Sequence, residues 1–243
     1  MSGHSKWNNI KRKKEKSDAQ KGKIFTKIGR EISVAVKQGG PDPAANSKLK
    51  EVIAKAKSFN VPNDNIEKII KKAASGSSEA NCESFTYEGY GPGNVAFIVG
   101  ILTDNRNRAS SNIRMHFSKN GGNLGSPGCV SFMFDEKGVI VFDKDKVDEN
   151  TLLSAALDSG ASDFQVEDES FVVVTEKSDF DSVRNSLISK GFEPFSSELS
   201  MIPQFYQKVE SEEMKNKVLN FIDLLENDED VQSVWSNYDF DEQ

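Results

Sequence analysis

The chain has 243 residues, 36% of them hydrophobic, with a mean hydropathy of -0.55 and a formal net charge of -7. This length and lean apolar content favour two or three small domains over one large core, while the longest apolar run, at 95–102, is too short to span a bilayer. The charge is polarised: residues 1–75 hold 18 Lys and Arg against 7 Asp and Glu, a net +11, and the remaining 168 carry -18.

Residues 1–16 contain only Trp7 and Ile10 as sizeable apolar groups, so they read as a basic arm rather than as part of a core. The arm has no apolar stretch of the kind a secretory signal needs. At Ser17 the run Ser-Asp-Ala-Gln matches a capping box and predicts a helix. On its wheel Ile24, Phe25, Ile28, Ile32, Ala35 and Val36 share one face, and Lys23, Lys27, Arg30 and Lys37 the opposite one. The run QGGPDP ends that helix, with Gly39 expected in the left-handed cap. Helices over 47–59 and 63–74 complete a three-helix domain, and the Ser/Gly-rich stretch 75–84 marks its boundary.

Beyond the boundary, strands alternate with helices. A strand at 95–103, a helix at 106–120 and a strand at 129–134 come first. They are followed by strand 139–142, helix 149–159, strands 163–167 and 171–175, helix 179–190 and strand 194–201, which is the β-α-β-β-α-β order of a ferredoxin-like unit. Strand 204–209, helix 211–225 and strand 231–238 supply a further β-α-β half. The fold class read from this order is multidomain α+β: a helical domain over 1–80, a discontinuous ferredoxin-like domain over 81–135 and 203–243, and a second ferredoxin-like domain over 136–202 inserted into it.

The chemistry concentrates in the arm and the first helix. Lys6, Lys11, Arg12, Lys13, Lys14, Lys16, Lys21, Lys23, Lys27, Arg30 and Lys37 form a cationic track suited to phosphates, and Trp7 adds a ring able to stack on a base. The bland reading, a solvated charge run, is weakened because the acidic remainder already supplies solubility. Arg106, Arg108 and Arg114 form a secondary site for an anion or a protein carboxylate, with local capping by Asp104 or Asn105 as the alternative. The glycine-rich segments 89–94 and 120–128 read as turns, since neither leads into a helix whose N-terminus would receive a phosphate. The acidic run 226–230 lacks the spacing of a calcium loop and reads as a solvated turn. With two histidines, two distant cysteines and no zinc, triad or nucleotide-loop motif, no enzyme, no metal and no cofactor are expected. A metal-dependent nuclease built from carboxylates is the residual catalytic alternative. The two cysteines fit a reducing, cytoplasmic setting.

Six separated segments, GHSKWNNIK, GKIFTKIGREI, VPNDNIEKII, YEGYGPGNVA, TDNRNRASSNIR and FSKNGGNLGSPGCVSFMF, together resemble the YebC family, which includes mitochondrial translational activators of cytochrome oxidase. The resemblance is dense to about residue 134 and loose afterwards. It implies three domains and a DNA-binding regulator of transcription, with a ribosome-associated factor that binds ribosomal RNA and relieves stalling at proline runs as the alternative. The acidic α/β domains would then offer protein contacts, and neither a membrane nor a small-molecule substrate is implied. Three positions depart from the pattern: Asn94 where glycine is usual, Gly29 where a bulky aliphatic is common, and KKAASG in place of a Lys-Arg-Gly-x-Gly ending.

Overall fold

The computed structural model describes residues 18–76 and 82–240. It divides into two compact units, one running up to Phe134 and resuming at Pro203, the other formed by Asp135–Ile202.

Three helices lead the first unit: α1 (Asp18–Gly39), α2 (Ser47–Ser58) and α3 (Asn63–Ala74). The apolar spacing on α1 buries Ile28, Ile32, Ala35 and Val36 against Leu49, Val52 and Ala56 of α2 and Ile66 and Ala73 of α3. Each large side chain withdrawn from water contributes about 1.5–3 kcal/mol. Helix α1 ends one residue later than expected, because Gly40, at φ 87°, takes the left-handed position assigned to Gly39. Gly39 meets a different demand: a Cβ there would sit 2.7 Å from the side chain of Asn46. Asn46 is buried and ties two helix ends together, donating from Nδ2 to the Ala35 and Gly40 carbonyls at 2.7 and 2.8 Å and accepting the Leu49 N–H at 3.0 Å. Gly29 also has a packing reason, since a Cβ there would lie 3.3 Å from Ile69 Cδ1 of α3.

The α/β part of this unit holds β1 (Glu83–Tyr90), β2 (Ala96–Thr103), α4 (Arg106–Lys119), β3 (Asn123–Leu124) and the elements that close the chain. The intervening unit holds β4 (Phe134–Asp143), α5 (Glu149–Asp158), β5 (Asp163–Val166), β6 (Ser170–Glu176), α6 (Phe180–Ser189) and β7 (Ser196–Pro203). The chain closes with β8 (Gln207–Lys208), α7 (Glu212–Asn227), β9 (Val231–Ser236) and β10 (Tyr238–Asp239).

The intervening sheet has the order β5-β6-β4-β7, the ferredoxin-like arrangement expected from the element order. Its helices cover Ile140, Phe142, Phe171 and Val173 with Leu152, Ala156, Val183 and Leu187. The other sheet is ordered β3-β1-β2-β9. Its third ferredoxin-like position is taken by β1, which comes before both helices rather than between them. Strand β1 was not expected, because the linker reading ran into Glu83 and Ser84. It pairs with β2 in an antiparallel hairpin from Glu83 opposite Thr103 to Tyr90 opposite Ala96. With that position filled, 204–209 does not join the sheet as expected, and β8 instead forms a small parallel pair with β10. Residues 129–133 are likewise turn and short 3-10 helix rather than strand. The core beneath is aromatic: Phe97 of β2, Phe117 of α4 and Phe221 of α7 meet edge to face at 5.0–6.3 Å.

In the hairpin turn Asn94 has φ 58°, so the asparagine keeps the left-handed backbone that glycine would adopt freely. Asn94→Gly is therefore expected to leave stability within about 1 kcal/mol of the parent, and Asn94→Val to cost about 1–2 kcal/mol, read from chemical denaturation of the two variants.

Candidate nucleic-acid interface

The cationic stripe on α1 is real, and its middle is occupied. Lys23 and Lys37 are exposed at the two ends of the helix. Between them Lys27 donates from Nζ to the Glu226 carbonyl at 2.7 Å, and Arg30 donates to the Glu229 carbonyl at 2.9 Å while lying 3.5 Å from the Asp230 carboxylate. The first acceptor belongs to the last turn of α7, where helical carbonyls lack partners and the dipole is negative, and the second to the loop just beyond it. Lys6, Trp7, Lys11, Arg12, Lys13, Lys14 and Lys16, the Ser17 cap and the side chain of Lys21 lie outside the described residues.

The run 226–230 is thus no solvated turn. The side chains of Asp228 and Asp230 are only 7% and 2% exposed, and both serve as fasteners. Arg108 of α4 grips Asp230 with two parallel bonds, Nε to Oδ2 at 3.0 Å and Nη2 to Oδ1 at 2.7 Å, and reaches Asp104 at 2.8 Å. These hydrogen bonds to Asp230 and Asp104 hold the guanidinium charged. His116 Nε2 meets Asp228 Oδ2 at 3.0 Å, and Asp228 Oδ1 accepts the Asp230 N–H at 3.0 Å. The two readings of Arg108 therefore both apply: Asn105 caps α4 by accepting the Arg108 N–H at 3.0 Å, and the side chain pairs with a protein carboxylate 122 residues away. Arg106 lies 4.7 Å over the Phe85 ring and 3.5 Å from Glu83, in an exposed pair of small energetic weight. Arg114 is exposed, with no charged partner among the described residues. The structure thus does not gather the three arginines onto one anion.

A second device went unread in the sequence. Glu88 of β1, 7% exposed, accepts N–H bonds from Gly128 at 2.9 Å, Val130 at 3.0 Å and Ser131 at 2.8 Å. Burial alone would raise this carboxyl; the three backbone donors and the Ser131 hydroxyl outweigh it and hold its pKa below the usual range. The glycine-rich loop is pinned to that carboxylate, which takes the N–H groups of Gly128, Val130 and Ser131. Close approach explains Gly122 of the loop and Gly89 of the facing β1, since a Cβ on Gly122 would lie 2.6 Å from the Tyr90 carbonyl and one on Gly89 2.5 Å from that of Asn123.

Burial, together with the nearby carboxylates of Asp104 and Glu88 respectively, raises the thiol pKa of Cys82 and Cys129, the opposite of nucleophile activation. Among the described residues no cluster of His, Cys, Asp and Glu is arranged to hold a metal ion. Among them, too, no helix is long and apolar enough to cross a membrane.

Comparison with known proteins places the whole chain. Residues 5–76 match the model of the TACO1/YebC protein N-terminal domain, and residues 82–238 that of the TACO1/YebC second and third domain. A probable transcriptional regulatory protein of Clostridium botulinum (strain Okra / Type B1) is 53% identical over 243 residues, covering 100% of this chain and 98% of its own. One of Acetivibrio thermocellus is 55% identical over 239 residues, covering 98% and 99%. The crystal structure of a conserved hypothetical protein, Aq1575 from Aquifex aeolicus, superposes with a TM-score of 0.88 at 40% identity over 98% of both chains.

Proposed function

The chain belongs to the TACO1/YebC family, and from that premise we infer that it is a non-enzymatic, nucleic-acid-binding regulator of gene expression acting on duplex DNA. The observation that carries this reading is the segregation of charge. Cations gather on the N-terminal arm and on the face of α1 turned away from the helical core, with exposed Lys23 and Lys37 marking that face. Relatives more than half identical over the full length are named probable transcriptional regulatory proteins, which supports the same direction. Lysines neutralise phosphates and release counterions, so they fix the protein on a duplex without reading its sequence. Among the described residues no helix of the bundle aligns Asn, Gln and Arg for base edges, and the binding in this reading is non-specific in its main term.

The test is a salt series with a defined duplex, its scrambled version and a structured RNA. Binding to both duplexes with log K falling linearly in log salt, at a slope near -5 for about six phosphate contacts, is the expected result. Salt-independent binding would remove the lysine track from the account, and a large preference for structured RNA at every salt concentration would overturn the assignment to DNA.

A further inference from the structure

Two of the cations a polyanion needs on α1 already hold an anionic feature of the protein itself. A backbone laid along the stripe from Lys23 to Lys37, about 21 Å of helix at 1.5 Å per residue, must cross positions 27 and 30. Those positions are covered by the segment 226–230, whose Glu226 carbonyl at the helix end, Glu229 carbonyl beyond it and Asp230 carboxylate present the same hydrogen-bond acceptors and the same sign of charge as phosphate oxygens. We propose that this turn is an intramolecular stand-in for phosphate, a latch that covers the middle of the α1 stripe and is displaced when nucleic acid binds; the proposal rests on the nucleic-acid reading above.

The contacts are graded in the way a latch requires. On the α4 side the turn is fixed by the bidentate Arg108–Asp230 pair and by His116 against Asp228. On the α1 side Asp230 receives Arg30 only at 3.5 Å, with the Arg30 side chain 30% exposed. Releasing α1 therefore leaves Asp230 paired with Arg108, and no carboxylate is stranded without a partner, the event that makes breaking a buried ion pair costly. The carbonyls of Glu226 and Glu229 exchange lysine and arginine donors for water. Because turn and ligand compete for the same two cations, each weakens the other, and the coupling is reciprocal.

The experiment uses the full chain and a 20-base-pair duplex. Asp230→Asn keeps the shape and one acceptor for Arg108 while removing the charge that draws Arg30, and its affinity is expected to rise about tenfold, with a steeper salt dependence. Unchanged or weaker affinity in a variant that melts as a folded protein would overturn the latch. A measurement on the unaltered protein covers the case in which that variant is too unstable: the guanidinium NMR signal of Arg30 is expected to move on saturation with duplex while that of Arg108 stays. An Arg30 signal that does not move in the saturated complex also overturns the proposal. Failure of the parent protein to bind either duplex or structured RNA would instead remove the functional reading, and the latch with it.

Discussion

Replacing Glu88 with alanine is expected to lower the stability of the first unit by about 3–5 kcal/mol, the largest single-residue loss among the polar sites described. The carboxylate accepts three backbone N–H groups, from Gly128, Val130 and Ser131, in a setting where the residue is 7% exposed. Each donor left without a partner out of water costs about 1–3 kcal/mol, and a hydrogen bond to a charged acceptor is worth more than a neutral one. Glu88→Gln retains a carbonyl acceptor but turns an NH2 group toward at least one donor, so it is expected to fall between the parent and the alanine variant. The pH dependence has a definite sign. A carboxyl whose folded pKa is depressed contributes stability that is fully present above its unfolded pKa and is lost as pH falls through the folded value. The parent is therefore expected to lose this contribution below about pH 4.5, and Glu88→Gln to show no such loss. Urea unfolding of the three proteins at pH 7 and pH 4 reads both effects; an alanine variant as stable as the parent would show that the loop does not depend on the carboxylate.

The elements with strong periodicity were legible, and for a physical reason. Ile28, Ile32, Ala35 and Val36 repeat at helical spacing because one face of α1 meets two other helices, and the all-apolar run of β2 reflects a strand buried along nearly all its length. Strand β1 was hidden because only part of it touches the core: Phe85 and Tyr87 alternate with exposed or polar residues, and its register comes from the hairpin with β2. The polar fasteners were invisible for a related reason. Glu88, Asn46 and Asp230 look like ordinary surface residues in sequence; Glu88 and Asp230 find their donors, and Asn46 its acceptor on Ala35, only after the chain has folded, at separations of up to 122 residues for Arg108 and Asp230. The acidic run 226–230 misled because the composition of a solvated turn and that of a clasp are identical. The stripe on α1 was seen correctly as cationic, yet what its middle members hold depends on a turn some 199 residues away.

Reversing Lys11, Arg12, Lys13 and Lys14 together to glutamate is expected to weaken duplex binding by about a thousandfold or more at 0.1 M salt, with the thermal midpoint unchanged. Each phosphate neutralised contributes about 0.9 to the salt slope, so loss of four contacts should flatten that slope by about 3–4, and the introduced anions add repulsion along the same track. The loss should be equal for the defined and the scrambled duplex, because phosphate contacts carry no sequence information. Substituting Lys27 and Arg30 with alanine makes an informative contrast. If the turn at 226–230 competes for these side chains, their removal takes away phosphate contacts and relieves the ligand of displacing the turn, so the penalty per charge is expected to be several-fold smaller than in the arm. The two sets are thereby distinguished on one instrument, by affinity against salt. A quadruple arm variant that binds as tightly as the parent would transfer the entire interaction to the helical face and end the case for the arm.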